Sequence, residues 1–263
     1  MMRYYVVSDI HSYFSLLKEA LQIAGFFDET EPCMLVVCGD LLDRGSEAEP
    51  LIAFMLQLMK EGRLIYIRGN HEDLFVQCLH EIARGGVYEI AGGMSHHYYN
   101  KTWDSLLQIS KMCEDEAYGD PNELVRRVIR SPFCRELLPM CVDYYETPNY
   151  IFIHGWIPCL TEGSGIYARY EYDPDWRNAD ISEWRSARWL NGMEFACKYH
   201  IREPNKTIVC GHWNTSYGHA YIDHTCSEWG RNADFSVFSA DGILAIDAST
   251  ANSHTVNCVV IDD

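Results

Sequence analysis

Five short, nearly continuous apolar runs limit the folds open to this 263-residue chain more than any other feature. They are residues 4–7, 34–38, 64–67, 150–153 and 207–210. Runs of this kind, rich in Val, Ile and Tyr and without polar alternation, are typical of strands buried on both faces of a sheet. Helical apolar spacing fills both gaps between the first three runs. We therefore predict an α/β fold whose sheet starts with parallel strands.

Turn signals support the two intervening helices. The first apolar pattern, residues 16–24, ends at Gly25, a typical C-terminal cap, and the second, residues 51–59, ends near Gly62. The strand–helix alternation is then lost over residues 85–146. We predict that this segment is a mostly helical insertion within one domain that spans residues 1–263.

Signals for short elements return beyond the third run. Asp120-Pro121 marks a helix start inside the insertion. Further short strands are predicted at residues 220–222, 236–238, 243–246 and 256–261. Their connections are too short for crossover helices, so we expect antiparallel pairing.

The charge balance excludes several classes of partner. Thirty-eight acidic residues against 21 basic ones give a net charge of −17, which repels duplex nucleic acid and anionic lipid. No apolar run approaches the roughly 20 residues of a membrane span, and residues 4–7 are too short for a signal segment. The eleven cysteines form no CxxC pair. We expect reduced thiols and a cytoplasmic protein with neither duplex nucleic acid nor membrane as partner.

Polar side chains follow every one of the five apolar runs. The segments are Ser8-Asp9-Ile10-His11, Gly39-Asp40-Leu41-Leu42-Asp43-Arg44-Gly45, Gly69-Asn70-His71-Glu72, His154-Gly155 and Gly211-His212. In open α/β sheets, ligands bind beyond the carboxyl ends of the strands, so we expect these side chains to converge. A single Asp or His at a strand end is usually an ordinary turn residue, but five coincidences disfavour that interpretation.

The residue types indicate the chemistry. Six side chains offer oxygen or imidazole nitrogen donors: Asp9, His11, Asp40, Asn70, His154 and His212. This set, which lacks a thiolate, suits Mn, Fe or Zn. It exceeds what one catalytic metal with an open position uses, and it fits two metals about 3.5–4 Å apart that share a carboxylate. We therefore predict hydrolysis of a phosphate ester at a two-metal centre.

The motif series resembles the calcineurin-like metallophosphoesterases, and more narrowly their serine/threonine phosphoprotein phosphatase branch, which includes bacterial and phage members. The resemblance implies two stacked mixed β-sheets flanked by helices, an αββα sandwich. It implies that Asp9, His11 and Asp40 hold the first metal, and that Asp40, Asn70, His154 and His212 hold the second. Mn is the preferred ion, with Fe or Zn as alternatives.

The resemblance also implies catalytic roles. His71 would be the general acid, Asp43 would orient it, and Arg44 would clamp the phosphate. A second arginine is expected from a later Trp-containing segment, with Arg188 as the candidate and Arg185 next. One departure is Asn214, which stands where other branches place a further metal-binding His; its role as a ligand is left open.

Three functions follow as hypotheses. The first is a phosphomonoesterase of serine/threonine protein phosphatase type, which uses a metal-activated hydroxide on a phosphorylated protein or small phosphate ester. The alternative is a hydrolase of dinucleoside polyphosphates (diadenosine tetraphosphate type) or other nucleotides. It draws on the arginines and aromatic rings of residues 161–189, which could stack a base or simply cover the sheet. The third, an inactive metal-binding or scaffold protein, is disfavoured because the ligands, His71 and Arg44 are all present.

Overall fold

The computed structural model describes residues 2–163, 165 and 168–263. Within them the strands are β1 (Arg3–Val7), β2 (Cys33–Cys38), β3 (Leu64–Ile67), β4 (Tyr145–Glu146), β5 (Tyr150–Phe152), β6 (Cys159–Glu162), β7 (Arg169–Tyr172), β8 (Thr207–Cys210), β9 (Phe238–Ala240), β10 (Ile243–Ala245) and β11 (Val259–Asp262). The helices are α1 (Phe14–Ala24), α2 (Ala48–Lys60), α3 (Asn70–Ala83), α4 (Val87–Glu89), α5 (His96–Tyr99), α6 (Thr102–Ser110), α7 (Glu114–Gly119), α8 (Pro121–Arg130), α9 (Ile181–Ala187), α10 (Gly192–Cys197), α11 (Ser216–Tyr221) and α12 (Thr250–Ser253). Every helix of these residues is too short or too polar to cross a bilayer.

The first sheet has the order β11-β1-β2-β3. Strands β1, β2 and β3 are parallel, with Val7 opposite Val37 and Cys38 opposite Ile67, so their carboxyl ends meet at one edge. Strand β11 joins β1 antiparallel. Helix α1 ends at Gly25, whose φ of 87° continues the chain in the left-handed region that glycine adopts without steric cost. The predicted parallel start of the sheet is confirmed.

The second sheet has the order β4-β5-β8-β10-β9. Strands β5, β8 and β10 are parallel, whereas β4 and β9 are antiparallel to their neighbours. Antiparallel pairing was predicted for the C-terminal strands, and it is confirmed between β9 and β10 and between β11 and β1, but β10 also pairs parallel with β8, which was not predicted. The chain between β8 and β10 holds both α11 and β9, which gives it the length for a parallel return.

Alternate side chains of each strand separate the core into layers. Val6 and Val36 face Phe152 and Val209 between the two sheets. Tyr5, on the opposite face of β1, packs among the residues of the helices that cover the first sheet. Ile151 and Ile208 face the helices of the second sheet. Two stacked mixed sheets with helices outside are the fold class predicted from the sequence.

Helices α4 to α8 occupy most of residues 85–146, the segment predicted as an insertion. Trp103 and Val128, both almost fully buried, belong to the same apolar cluster as Leu51 and Phe75 of α2 and α3. Helix α8 starts as predicted, since the Asp120 side chain accepts a hydrogen bond from the Glu123 backbone N–H (2.9 Å). Organisation as one domain stays a prediction.

Two elements differ from the sequence predictions. Residues 220–222 were predicted to be extended, but α11 ends at Tyr221. Tyr217 and Tyr221 lie four residues apart and their rings are in contact, with centroids separated by 4.9 Å. A window of three residues was too short to distinguish a helix from a strand. The β6–β7 hairpin was not predicted, because its side chains are largely solvent-exposed rather than apolar.

Candidate metal centre

The carboxyl ends of five strands bring the six predicted ligands together at one edge of the sandwich. Asp9 and His11 follow β1, Asp40 follows β2, Asn70 starts α3 directly after β3, His154 follows β5 and His212 follows β8. Five of them are at most 2% exposed, and His212 is partly buried. The first four come from the first sheet and the two histidines from the second. The site therefore lies across both sheets.

Asp40 stands at the middle of this cluster. Its Oδ1 atom lies 3.3 Å from Nε2 of His154, and its Oδ2 atom lies 3.8 Å from Nε2 of both His11 and His71. Two groups can each offer a metal three donor atoms within 4.8 Å of one another: His11, Asp40 and His71, and Asp40, His154 and His212. Because Asp40 belongs to both groups, a cation held by either group would be in reach of its carboxylate.

Asp9 and Asn70 lie at opposite sides of these groups. Oδ1 of Asp9 is 4.0 Å from Nε2 of His11, and its other oxygen accepts the His212 backbone N–H (2.9 Å). Oδ1 of Asn70 is 2.7 Å from Nε2 of His154. All six predicted ligands are thus neighbours, and their assignment as ligands remains a prediction.

Hydrogen bonding at the histidines tests whether a cation fits. Nδ1 of His11 donates to the Leu42 carbonyl (2.9 Å) and Nδ1 of His154 donates to the Cys38 carbonyl (2.8 Å), so each Nε2 keeps its lone pair. Nε2 of His11 and of His212 are buried and have no hydrogen-bond partner among the described residues. A lone pair that faces a carboxylate is unfavourable unless a cation lies between them. The donors present therefore fit a metal centre.

The pKa shifts of the carboxyl and imidazole groups in the cluster also fit a bound cation. Burial raises the pKa of the Asp9 and Asp40 carboxyl groups and lowers the pKa of His11 and His212 well below its usual value. Neutral imidazole is the form that ligates metals, and a nearby cation stabilises carboxylates. Without a cation, burial disfavours the ionised carboxylates of Asp9 and Asp40. A bound cation would stabilise them, and the neutral imidazoles are already in the form that binds a metal.

The backbone is strained at the same residues. Asp9, His11, Asp40, Asp43 and His212 all have positive φ angles, between 49° and 78°. Non-glycine residues in such conformations cost about 1–3 kcal/mol each and persist where the surrounding structure enforces them. Asp and His are among the non-glycine residues that adopt this conformation most often, but residue type alone does not predict it at a given position.

Glycines in the motifs give the ligands room. A Cβ atom on Gly69 would collide with the Asp40 carboxylate, and one on Gly211 would collide with the Asp9 carboxylate. Both collisions involve buried, closely packed side chains that have no space to move. The Gly-Asn and Gly-His pairs of the sequence thus reflect the close packing of one strand end against another.

Glu72 is a residue whose role was missed in the sequence. Its Oε2 atom accepts the backbone N–H of Gly69 (2.7 Å) and Asp40 (3.0 Å), and Oε1 accepts the Leu41 N–H (3.0 Å) and the Tyr66 hydroxyl (2.7 Å). This one carboxylate holds the loops after β2 and β3 together. The Gly-x-x-Glu spacing is that of a helix capping box, which was the available signal.

His71 and Asp43 form a buried pair beside the metal cluster. Nδ1 of His71 lies 2.7 Å from Oδ2 of Asp43, and Nε2 lies 3.3 Å from the Arg44 guanidinium. Burial lowers the pKa of His71, but the charges of Asp40 and Asp43 outweigh burial, so that this pKa lies above its usual value. The arrangement favours a protonated imidazole whose Nε2 faces the cluster.

The two arginines predicted to clamp phosphate have different surroundings. Arg44 is exposed and next to His71. Arg188 is only 5% exposed, and its guanidinium is paired with Asp73 (2.6 Å) and Asp143. Its role as a clamp stays a prediction that these ion pairs do not favour.

The rings of residues 161–189 mostly cover the sheet. Trp176 and Trp184 are buried in the second apolar cluster, so for them the alternative in which the rings cover the sheet is the one that the structure favours. Tyr167 lies outside the described residues. Trp189 is half exposed, and its ring centroid lies 5.7 Å from that of His212. Asn214 donates to the Ser216 hydroxyl (2.7 Å).

A cavity of about 450 Å³ adjoins the cluster at Asn70 and runs between α3 and α9. Trp189, Arg185 and Arg84 contribute to its lining.

Comparisons with known proteins agree with this geometry. Residues 2–239 match the family model described as calcineurin-like phosphoesterase. Shewanella-like protein phosphatase 2 of Arabidopsis thaliana is 31% identical over 85 residues, which are 28% of this chain and 22% of that protein. Serine/threonine-protein phosphatase 2 of Escherichia coli (strain K12) is 30% identical over 89 residues, 34% of this chain and 38% of that protein. The matches thus span less than half of either relative.

A solved structure shares the fold at low identity. The cold-active protein-tyrosine phosphatase of a psychrophile Shewanella sp. is 14% identical, with a TM-score of 0.50, over 99% of this chain and 75% of that one. The family model, in contrast, matches the sequence itself and covers most of it. The chain belongs to the calcineurin-like phosphoesterase family, as its strand-end motifs predicted.

Proposed function

We propose that this protein is a metal-dependent phosphomonoesterase of serine/threonine protein phosphatase type, which hydrolyses phosphorylated protein or small phosphate esters. The observation that carries the proposal is the position of Asp40, which is shared by two groups of metal donors and lies 3.8 Å from the imidazole of His71. The names of the two phosphatase relatives support the same reading.

The metals would be held by Asp9, His11, Asp40, Asn70, His154 and His212. We propose Mn, with Fe or Zn as alternatives because all three ions accept this donor set. When bound, two such ions lower the pKa of water and neutralise phosphate oxygens. The carbonyls of Leu42 and Cys38 fix the tautomers of His11 and His154, which keeps each Nε2 available as a ligand.

The remaining steps belong to side chains of this chain. His71 holds a proton at Nε2 and donates it to the oxygen that leaves phosphorus, because an alkoxide is a poor leaving group. Asp43 accepts a hydrogen bond from the Nδ1–H group of His71, which aims the ring and keeps it cationic. Arg44, next to Nε2 of His71, binds a phosphate oxygen through its planar fork of donors.

A second candidate is hydrolysis of dinucleoside polyphosphates or other nucleotides. Trp189 offers a half-exposed ring beside His212, on which a base could stack. In the described part of the chain, the guanidinium groups of Arg84 and Arg185 in the adjoining cavity form no ion pair. They could therefore bind additional phosphates of a nucleotide.

We also propose a cytoplasmic location and no affinity for duplex nucleic acid or membranes. All eleven cysteines, each within the described residues, are free, which suits a reducing compartment. The net charge of −17 supports the exclusion of polyanionic partners.

A substrate panel with metal analysis on the same sample tests the proposal. Purified protein is assayed with Mn²⁺, Fe²⁺ or Zn²⁺ on p-nitrophenyl phosphate, phosphoserine and phosphothreonine peptides, and diadenosine tetraphosphate. We expect metal-dependent hydrolysis of the first two classes. A large preference for diadenosine tetraphosphate would select the nucleotide hydrolase, and protein that binds metal but hydrolyses no ester would select a scaffold.

A further inference from the structure

The Asp43 carboxylate receives two hydrogen bonds from a helix about 60 residues further along the chain. The Thr102 hydroxyl donates to Oδ2 of Asp43 (2.8 Å), and the Ser105 hydroxyl donates to Oδ1 (2.8 Å). The Asp43 backbone N–H in turn donates to the Ser105 oxygen (2.9 Å). Thr102 and Ser105 have no exposed surface, and Asp43 is 1% exposed. This group of contacts is sealed from water.

These contacts fix the orientation of the carboxylate. Oδ2 accepts from both Thr102 and His71, while Oδ1 is held by Ser105, so rotation about the Cβ–Cγ bond would break bonds at both oxygens. A buried carboxylate needs such donors, because an unpaired charge in the interior is costly. Ser and Thr hydroxyls in helices usually bond to their own backbone, whereas these two reach a different segment.

We propose that Thr102 and Ser105 are positioning residues for the reaction: they set the Asp43 carboxylate so that it aims the His71 imidazole at the leaving oxygen. This inference rests on the proposed function, in which His71 is the general acid. Both residues belong to α6, within the segment predicted as an insertion. The inserted helices thus take part in the chemistry as well as in covering the sheet.

The proposal predicts a specific pattern over substrates. A general acid matters most when the leaving oxygen is strongly basic, as in phosphoserine, and least when the leaving group is a stable anion such as p-nitrophenolate. A poorly aimed His71 therefore slows alkyl ester hydrolysis selectively. A general loss of structure would slow both reactions alike.

The test uses Thr102→Val, Ser105→Ala and the double variant, loaded with Mn²⁺. We expect kcat on a phosphoserine peptide to fall about 10-fold or more, within the 10²–10⁴-fold contribution of a general acid. The kcat on p-nitrophenyl phosphate should change less than about 3-fold, with KM and metal content unchanged. Thr102→Ser, which keeps the hydroxyl, should restore the ratio of the two rates.

A matched control lies on the same helix. Ser110 is 4% exposed and donates to the Leu107 carbonyl (3.1 Å), without contact to Asp43. Ser110→Ala removes a comparable hydrogen bond from α6 and should leave the ratio unchanged. Equal loss on both substrates, or the same change of ratio in Ser110→Ala, would overturn the inference while leaving the phosphatase activity established.

A second readout needs no turnover. In protein loaded with diamagnetic Zn²⁺, the Nδ1 proton of His71, hydrogen-bonded to Asp43, should give a low-field proton resonance that the His71→Asn variant identifies by its disappearance. We expect this resonance to shift or vanish in Thr102→Val and Ser105→Ala, and an unchanged resonance in both would contradict the proposal. Wild-type protein that hydrolyses neither ester would refute the proposed function itself. That outcome differs from an unchanged resonance or an unchanged rate ratio in the variants, which would refute only the positioning role.

Discussion

Asp40 and His154 come from different sheets, yet Oδ1 of Asp40 lies 3.3 Å from Nε2 of His154. The other oxygen of Asp40 faces His11, which belongs to the first sheet. One carboxylate therefore connects the donors of both sheets. Removal of its charge should disturb both halves of the metal centre together.

Asp40→Asn should lose metal and phosphatase activity in parallel. The amide carries no charge and keeps a single oxygen, so it cannot bridge two cations. Elemental analysis and hydrolysis of p-nitrophenyl phosphate measure the two losses. Asp104→Asn, the same change at a side chain that is 45% exposed, is the control and should behave as wild type. Full metal content in Asp40→Asn would contradict the bridge.

His71→Asn should keep its metal and lose turnover by about 10²-fold or more, because the general acid is removed while the six proposed ligands stay. The measurement is metal content beside kcat on a phosphoserine peptide. The test distinguishes two roles, because the donor atoms of His71, His11 and Asp40 lie close enough together to bind one metal ion. Metal loss in this variant would assign His71 to the ligands, and His224→Asn, at an exposed histidine outside the motifs, controls for the loss of an imidazole.

Glu72→Gln should lower the free energy of unfolding by about 3 kcal/mol. Four donors share the Glu72 carboxylate, and an amide places an N–H group against two of them, which leaves buried donors unpaired at about 1–3 kcal/mol each. Urea denaturation measures the change. Glu61→Gln, at a 39% exposed side chain, should stay within about 0.5 kcal/mol. A loss of similar size in both variants would argue against the role of Glu72 in holding the loops after β2 and β3 together.

Arg44→Met should mainly lower catalytic efficiency, whereas Arg188→Met should mainly lower stability. Arg44 is exposed and beside His71, so its loss should lower kcat/KM on p-nitrophenyl phosphate with little effect on stability. Arg188→Met should lower the free energy of unfolding by about 1–2 kcal/mol, because the ion pairs of the buried guanidinium with Asp73 and Asp143 are lost, although Arg68 still pairs with Asp73. A large loss of kcat/KM in Arg188→Met with unchanged stability would instead support Arg188 as the second phosphate clamp.

Acid should destabilise the protein through Glu146. Hydrogen bonding to Arg177 lowers the pKa of Glu146 from 4.5 to about 2. The folded state therefore holds the ionised form more strongly than the unfolded state, and this contribution is present above pH 4.5 and lost as the pH falls toward 2. With allowance for solvent screening it amounts to about 1–2 kcal/mol.

Thermal unfolding of wild type and Glu146→Gln between pH 2 and pH 6 tests this contribution. The variant should be less stable than wild type at pH 6, and its unfolding temperature should fall less than that of wild type as the pH is lowered to 2. Parallel curves for the two proteins would show that the ion pair contributes nothing.

Much of the site could be predicted because its donors directly follow buried strands. Parallel strands place their carboxyl ends at one edge, so Asp9, Asp40 and Asn70 had to be neighbours once β1, β2 and β3 were recognised. The position of His154 and His212 beside them depends on how the second sheet stacks, and only the family resemblance indicated that.

Other features leave no pattern in the sequence. The contacts of Thr102 and Ser105 with Asp43 join segments about 60 residues apart, and no local spacing encodes them. The burial of Trp176 could not be predicted either, because composition shows an aromatic-rich segment but not which of its side chains pack on the sheet. The left-handed backbone of Asp40 is enforced by packing rather than by its own preference.

The apolar layer between the two sheets has a consequence for the chemistry at their edge. Val36 and Val209 belong to this layer and lie on strands that lead to Asp40 and His212. The thickness of that layer therefore helps set the distance between the polar side chains that the first sheet and the second sheet bring to this edge.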